Sequence, residues 1–278
     1  MKSMLKKILR SAVLILQISL QLSCSQNVFS ELGSKSSDEA LLFDAKSAVN
    51  AQDYQTAIDI ITLKMSAFSQ NKADAKEVLA SGYAGKCGLN FINFVNALST
   101  ATSGSAFKLV SVPFVGVVVD PASCLTALNT LESIGPTGMR TTAENAFASI
   151  IGMSLMGSAV RFYTDINPAL GDGNQDAINI SCGLTNAQVD KIVLGFGFMS
   201  QNFSYLSTAQ LGSSSQTSLN TVIATCSSVA GSACTITNPT LITPQIRNTI
   251  KDLMNTSDYG IGTVATGGNA LLIPGACP

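Results

Sequence analysis

Seven cysteines in a chain with no histidine limit what this sequence can build. Cys24 stands apart, directly behind an N-terminal apolar stretch, while Cys87, Cys124, Cys182, Cys226, Cys234 and Cys277 are spread along the rest of the chain. An even set of six in an oxidising compartment predicts three disulfides, which would fix the relative positions of distant segments. Cys226 and Cys234 bracket Ser-Ser-Val-Ala-Gly-Ser-Ala, a stretch flexible enough to close a small loop, so they are expected to pair. Cys87 with Cys124 and Cys182 with Cys277 follow by proximity and elimination. No Cys-x-x-Cys occurs, and without histidine a zinc site has few ligands to draw on, so no metal is expected from these residues.

Lys2, Lys6, Lys7 and Arg10 precede an apolar run over 11–22, and Ser23 supplies a small residue before Cys24. This is the pattern of a secretory signal, and the run is well short of the roughly 20 residues that span a bilayer. Gln21-Leu22-Ser23-Cys24 resembles the lipobox of bacterial lipoproteins, with Gln21 where an aliphatic residue is usual and Leu22 where a small one is usual. The resemblance implies cleavage before Cys24 and a lipid on Cys24 that holds the protein to the membrane of the cell envelope. Ser25 follows, where Asp would imply the inner membrane, so the outer membrane is the implied address. An unlipidated secreted form is the competing expectation. The organisation expected is a signal peptide over 1–23, a polar tether over 24–37 and a helical domain over 38–278.

Loss of the signal changes the charge balance. Of 16 basic residues four precede Cys24, whereas all 17 acids follow it, leaving 12 basic against 17 acidic side chains. Nucleic-acid binding draws its affinity from Lys and Arg against phosphate, so a nucleic-acid partner is not expected. Charge is also scarce, at 12% of residues against a typical quarter, and 192–246 has no Asp, Glu, Lys or Arg. The wet face of that stretch must therefore be built from Ser, Thr, Asn and Gln.

Apolar spacing after the tether is helical. Leu41, Leu42, Ala45, Ala48 and Val49 share a face over 38–52; Asp53 can cap a second helix bearing Ala57, Ile58, Ile61 and Met65. Within 45–57, Ala45, Asp53, Tyr54 and Ala57 are placed as in a tetratricopeptide repeat, which the segment resembles, with Ala48 in the place of the usual aromatic. A second, weaker hairpin is expected from 72–85 and 88–100, its Phe91, Phe94, Val95 and Leu98 forming one apolar stripe. Further helices are expected over 121–134, 142–164, 185–206, 216–226 and 244–255, each opening at a capping residue or proline. The fold class is therefore all-α: helical hairpins of tetratricopeptide-like or degenerate solenoid type, stapled by disulfides. The run 109–119, broken by Pro113 and Gly116, reads as a strand or buried hydrophobic loop, with membrane insertion as the sharper alternative for it and for 146–160.

Few residues suggest chemistry. Asp172, Asn174 and Asp176 alternate like the first ligands of a calcium loop, but Ala177 stands where the turn glycine belongs and Gly183 where the bidentate Glu belongs. A solvated turn is the preferred reading. The absence of histidine removes Ser-His-Asp triads and the commonest general base. Ser-x-x-Lys occurs at Ser69/Lys72 and Ser105/Lys108 without accompanying Ser-Asp-Asn or Lys-Thr-Gly elements. No catalytic residue and no cofactor is expected, and the function expected is a non-catalytic interaction or scaffold module with a protein or peptide partner. The alternative is a small-molecule or lipid-binding component, with 109–119 and Gly195-Phe-Gly-Phe198 lining a cavity.

Overall fold

The computed structural model describes residues 36–102, 104–176, 180–230 and 234–262. Among these residues the chain is all-α, with twelve α-helices, short 3-10 turns and no strand. They are α1 (Asp38–Asn50), α2 (Tyr54–Asp59, prolonged by a π turn over Ile60–Lys64), α3 (Ala67–Gln70), α4 (Ala73–Lys86), α5 (Phe91–Thr100) and α6 (Ala106–Ser111). The second half holds α7 (Pro121–Glu132), α8 (Thr142–Thr164), α9 (Asn186–Asn202), α10 (Thr208–Leu211), α11 (Ser213–Ala230) and α12 (Pro244–Met254).

The longest helix, α8, is apolar on every side and is covered on every side, by α6, α7 and α9. Its start is fixed by a capping box in which the Glu144 amide donates to Thr141 Oγ1 and the Thr141 amide donates to the Glu144 carboxylate. Its end is held by Arg161, a buried cation in the last turn that donates to the carbonyls of Leu170 and Ala169 at 3.1 and 3.0 Å. Between these ends, glycines let other backbones touch it. A Cβ added to Gly152 would fall 2.7 Å from the Met199 amide nitrogen and 2.8 Å from the Gly195 carbonyl oxygen on α9; one added to Gly195 would meet Met156 and Gly152 as closely. Gly157 likewise takes the Val110 carbonyl of α6 against its Cα, leaving no room for a side chain. Of the described helices, α8 alone has the length and composition to cross a bilayer, yet 78% of its apolar window is buried inside the protein. Its hydrophobicity is that of a core helix, and residues 146–160 are not available for membrane insertion.

The serine hydroxyls along α8 are satisfied locally. Ser149 donates to the Met199 carbonyl at 3.2 Å, and Ser154 to the Ile150 carbonyl one turn back at 2.8 Å. Ser158 Oγ lies against the disulfide between Cys87 and Cys124, 3.5 Å from one sulfur and 3.8 Å from the other. That disulfide joins the end of α4 to α7 with a Cα separation of 5.1 Å, and Cys226 and Cys234 are joined at 5.9 Å. Cys182 is disulfide-bonded as well. Its expected partner Cys277 lies outside the described residues, as does the lipidation candidate Cys24.

The N-terminal hairpin keeps a small core of its own, with Leu41 and Ala45 of α1 against Ile60, Ile61 and Met65, closed by Ala75 and Val78 of α4. The expected second hairpin does not form. Gly88, at φ 103°, turns the chain out of α4, and α4 then lies along α7, to which it is bonded, while α5 packs with α10 and α11. Of the stripe on α5, Phe94 and Leu98 are core residues, whereas Phe91 is exposed. The run 109–119 is neither strand nor insertion loop. It completes α6, makes a 3-10 turn over Val112–Phe114, and buries Leu109, Val110, Phe114 and Val119 in the main core.

Replacing Cys87 and Cys124 together by Ala should lower stability by about 2–4 kcal/mol, because the bond spans a sequence separation of 37 residues and restricts the unfolded chain. Urea unfolding read by circular dichroism checks this, and an unchanged midpoint would show that packing alone holds α4 on α7.

Candidate functional site

The turn between α1 and α2 places one side chain with care. Gln52 takes a left-handed conformation (φ 62°), Asp53 caps α2 by accepting from the Thr56 amide at 3.2 Å, and Tyr54 becomes the first helical residue. Its ring lies against α4 at Gly85, where an added Cβ would fall 2.2–2.3 Å from three ring carbons. Opposite, Asn90 caps α5 by accepting from the Asn93 amide at 3.1 Å, which throws Phe91 and Ile92 outward. They are 45% and 69% exposed, a large apolar area left in water. Phe147, on the second turn of α8, meets Phe91 with ring centroids 6.4 Å apart and planes tilted by 59°.

Tyr54, Gly85, Phe91, Ile92 and Phe147 thus frame an open groove of about 260 Å³. Asn50, Gln52, Ser81 and Asn90 supply its polar rim, and no charged side chain lines it. A second open groove of about 420 Å³ runs between the end of α5 and α6, lined by Ala97, Ala101, Leu109, Val112 and Pro113 with Lys108 as its one cation.

Just before α8 lies a buried cation with acidic neighbours. Arg140 is 6% exposed, and it donates from Nε to Asn145 at 2.9 Å and from Nη2 to Thr137 and Asn202 at 3.1 and 3.3 Å; Nη1 has no protein acceptor. Burial pulls its pKa down, against the charges of Glu132, Glu144 and Tyr205. Burial likewise pushes Glu132 up, opposed by Arg140. Glu77 of α4 has Glu144 as a neighbouring carboxylate. Burial and then this neighbouring carboxylate raise the Glu77 pKa. Burial would raise Glu144 too, but hydrogen bonds from Thr141 and Glu77 and the charge of Arg140 outweigh it and hold Glu144 below the ordinary carboxylate range.

Residues singled out in the sequence fall elsewhere. In the loop after α8, Asp176 accepts from the amides of Ile166 and Asn167, and Asp172 accepts from the Asn174 amide at 2.9 Å. Asn174 Oδ1 in turn accepts from Lys108 Nζ at 3.0 Å. The three donors are spent on backbone amides and on an ammonium group, the arrangement of a self-capped turn. Asp165 does the same for the amides of Asp172 and Gly173. Ser105 Oγ donates to the Gly260 carbonyl while Lys108 reaches Asn174, so these two are not a nucleophile and base. Ser69 is buried, and Lys72 lies over the Phe68 ring at 5.3 Å. Phe196 and Phe198 are core side chains and line neither groove described above; Phe107 stacks on Phe196.

Comparison with protein-family models, curated proteins and solved structures finds no match to this chain. The site rests on its own geometry. Sequence reasoning passed over Arg140, Glu77 and Glu144, although Thr141-x-x-Glu144 has the capping-box spacing. It also set Phe91 on one apolar stripe with Phe94 and Leu98, a stripe that runs from exposed at Phe91 to buried at Leu98.

Arg140→Met should destabilise the protein by about 1–3 kcal/mol, since it leaves the buried Asn145 and Asn202 side chains without their donor. Denaturant midpoints test it; a loss under about 0.5 kcal/mol, the range of an ordinary surface change, would contradict the structural role of this buried cation.

Proposed function

We propose that this chain is a non-catalytic interaction module of the bacterial cell envelope, tethered through a lipid on Cys24, with the groove framed by Tyr54, Phe91, Ile92 and Phe147 as its contact surface for a protein or peptide partner. The observation that carries this reading is the outward projection of Phe91 and Ile92 beside Phe147, at a place where capping and a glycine turn aim them at solvent. Exposed aromatic side chains beside a neutral polar rim supply the anchors that binding energy concentrates on. The hairpin of α1 and α2, similar in its Ala45, Asp53, Tyr54 and Ala57 positions to a tetratricopeptide repeat, supports the same reading, because such hairpins present concave faces to peptides. The oxidised cysteines suit an envelope address.

A second reading has one observation in its favour. The larger groove at Leu109 and Val112 is apolar with a lysine at its side, which suits a lipid or other small amphiphile with an anionic group.

Photo-crosslinking residues placed at Ile92 and at Val112 in cells discriminate the two. Crosslinks to a discrete protein from Ile92 support the interaction module; lipid adducts from Val112 with none to protein from Ile92 favour the alternative. The anchor is tested separately: Cys24→Ser should lose palmitate labelling and leave the membrane fraction, and unchanged fractionation would contradict lipidation.

A further inference from the structure

We propose, resting on the second reading above, that the groove between α5 and α6 is a binding site for one long-chain carboxylate, a fatty acid whose chain lies along the groove and whose head group meets Lys108. Two rows of side chains make the walls. Ala97 and Ala101 stand one turn apart at the end of α5, and Lys108 and Val112 stand one turn apart on α6 and the 3-10 turn that follows it. The short side chains of the α5 wall leave the space between them open. At about 420 Å³ this groove lies within the range of small-molecule sites, roughly 300–1,000 Å³, whereas the 260 Å³ of the first groove falls below it. Leu109 is buried and Val112 is 45% exposed, so the apolar lining runs from the core out to solvent.

Each wall is held by its own contacts. Ser215 and Ser214, at the start of α11, donate to the carbonyls of Leu98 and Thr102 at 2.6 and 3.0 Å and fix the end of α5. The Phe107 amide donates to the Tyr259 carbonyl at 2.8 Å, and Ser105 Oγ donates to the Gly260 carbonyl, which fixes the start of α6. The groove therefore stands ready before a ligand arrives, and binding is spared the cost of ordering it. Lys108 selects the head group. Its ammonium has three protons to donate; Asn174 Oδ1 accepts one at 3.0 Å, and Asp172 stands behind that amide, accepting from Asn174 Nδ2 at 3.2 Å. Among the described residues no carboxylate lies within ion-pair distance of Lys108 itself. One cation in an otherwise uncharged lining balances one negative charge, which a carboxylate supplies and a neutral ester does not. Apart from Lys108 every side chain in the lining is apolar, so the amides of a peptide would find no side-chain partners there.

The test is displacement of a fluorescent fatty-acid probe from the full chain by saturated carboxylates of about eight to fourteen carbons, each below its micelle concentration, and by their methyl esters. Each added methylene should tighten binding about fourfold until the groove is full, and each ester should bind more weakly than its acid. Lys108→Gln should weaken the acids by about 2–5-fold and leave the esters unchanged. Val112→Asp, which puts a charge in the groove, and Ala101→Leu, which fills it without one, should each weaken binding at least about tenfold. The chain-length series needs no variant. Affinity independent of chain length, or blocking variants that bind like the wild type, overturns the proposal. Esters that bind as tightly as acids, with the chain-length dependence intact, overturn the carboxylate and spare the lipid groove; no saturable binding at all overturns both. Neither result touches the first groove, whose partner is read from Ile92.

Discussion

The backbone contact between Gly152 and Gly195 is the constraint on which the rest of the structure depends. Two helices normally keep their axes apart by the depth of their side chains, but here each helix meets the other at a glycine, and the main chains touch. Glycine inside a helix costs about 1 kcal/mol relative to alanine, and α8 and α9 carry four of them, Gly152, Gly157, Gly195 and Gly197. What offsets the cost is proximity. The large side chains on either side of the glycines, Met153, Met156, Phe196, Phe198 and Met199, are brought into one fully enclosed layer. Gly157 and Gly197 extend the same device outward, receiving the backbone of Val110 on one side and of Ile236 on the other. A helix apolar all round becomes the axis of the core because its neighbours approach it from several directions.

The candidate site is a consequence of where that axis ends. The first turns of α8 emerge from the core carrying a capping carboxylate, a buried arginine just upstream and Phe147, while α4 is brought alongside by its own bond to α7. The groove then forms where three independently capped starts converge: Tyr54 at the beginning of α2, Phe91 at the beginning of α5 and Phe147 near the beginning of α8. Each is aimed by a local rule, an Asp, an Asn or a Thr cap. Their meeting is a tertiary fact.

This division explains what was legible in the sequence. Helices announced by a cap and sustained by apolar spacing were readable: the expectation over 142–164 matches α8, and those over 121–134 and 244–255 run past α7 and α12 by no more than two residues. The short helix α6 was not, because Pro113 and Gly116 suggested an extended segment, and only burial against α8 makes Phe107 to Val110 helical. The second hairpin failed for a similar reason. Sequence adjacency favours α4 on α5, but Gly88 and the covalent link to Cys124 redirect α4 to α7, a partner far along the chain. Arg140 looks like an ordinary surface charge in the sequence, and its burial against Asn145 and Asn202 is something no local pattern encodes. The Asp172 loop was legible: its oxygens alternate like a cation site, but the missing Gly and Glu favoured a plain turn, and backbone amides and Lys108 occupy the oxygens.

The most direct measurement is the thermal stability of Gly152→Ala and Gly195→Ala against Gly138→Ala, a position where an added Cβ meets nothing within 4 Å. Helix propensity alone would make the first two more stable, by about 1 kcal/mol each. If the glycine contact organises the core, both should instead lose cooperative melting or fall well below the wild type, while Gly138→Ala melts with it. Wild-type or improved melting of Gly152→Ala and Gly195→Ala would contradict the account.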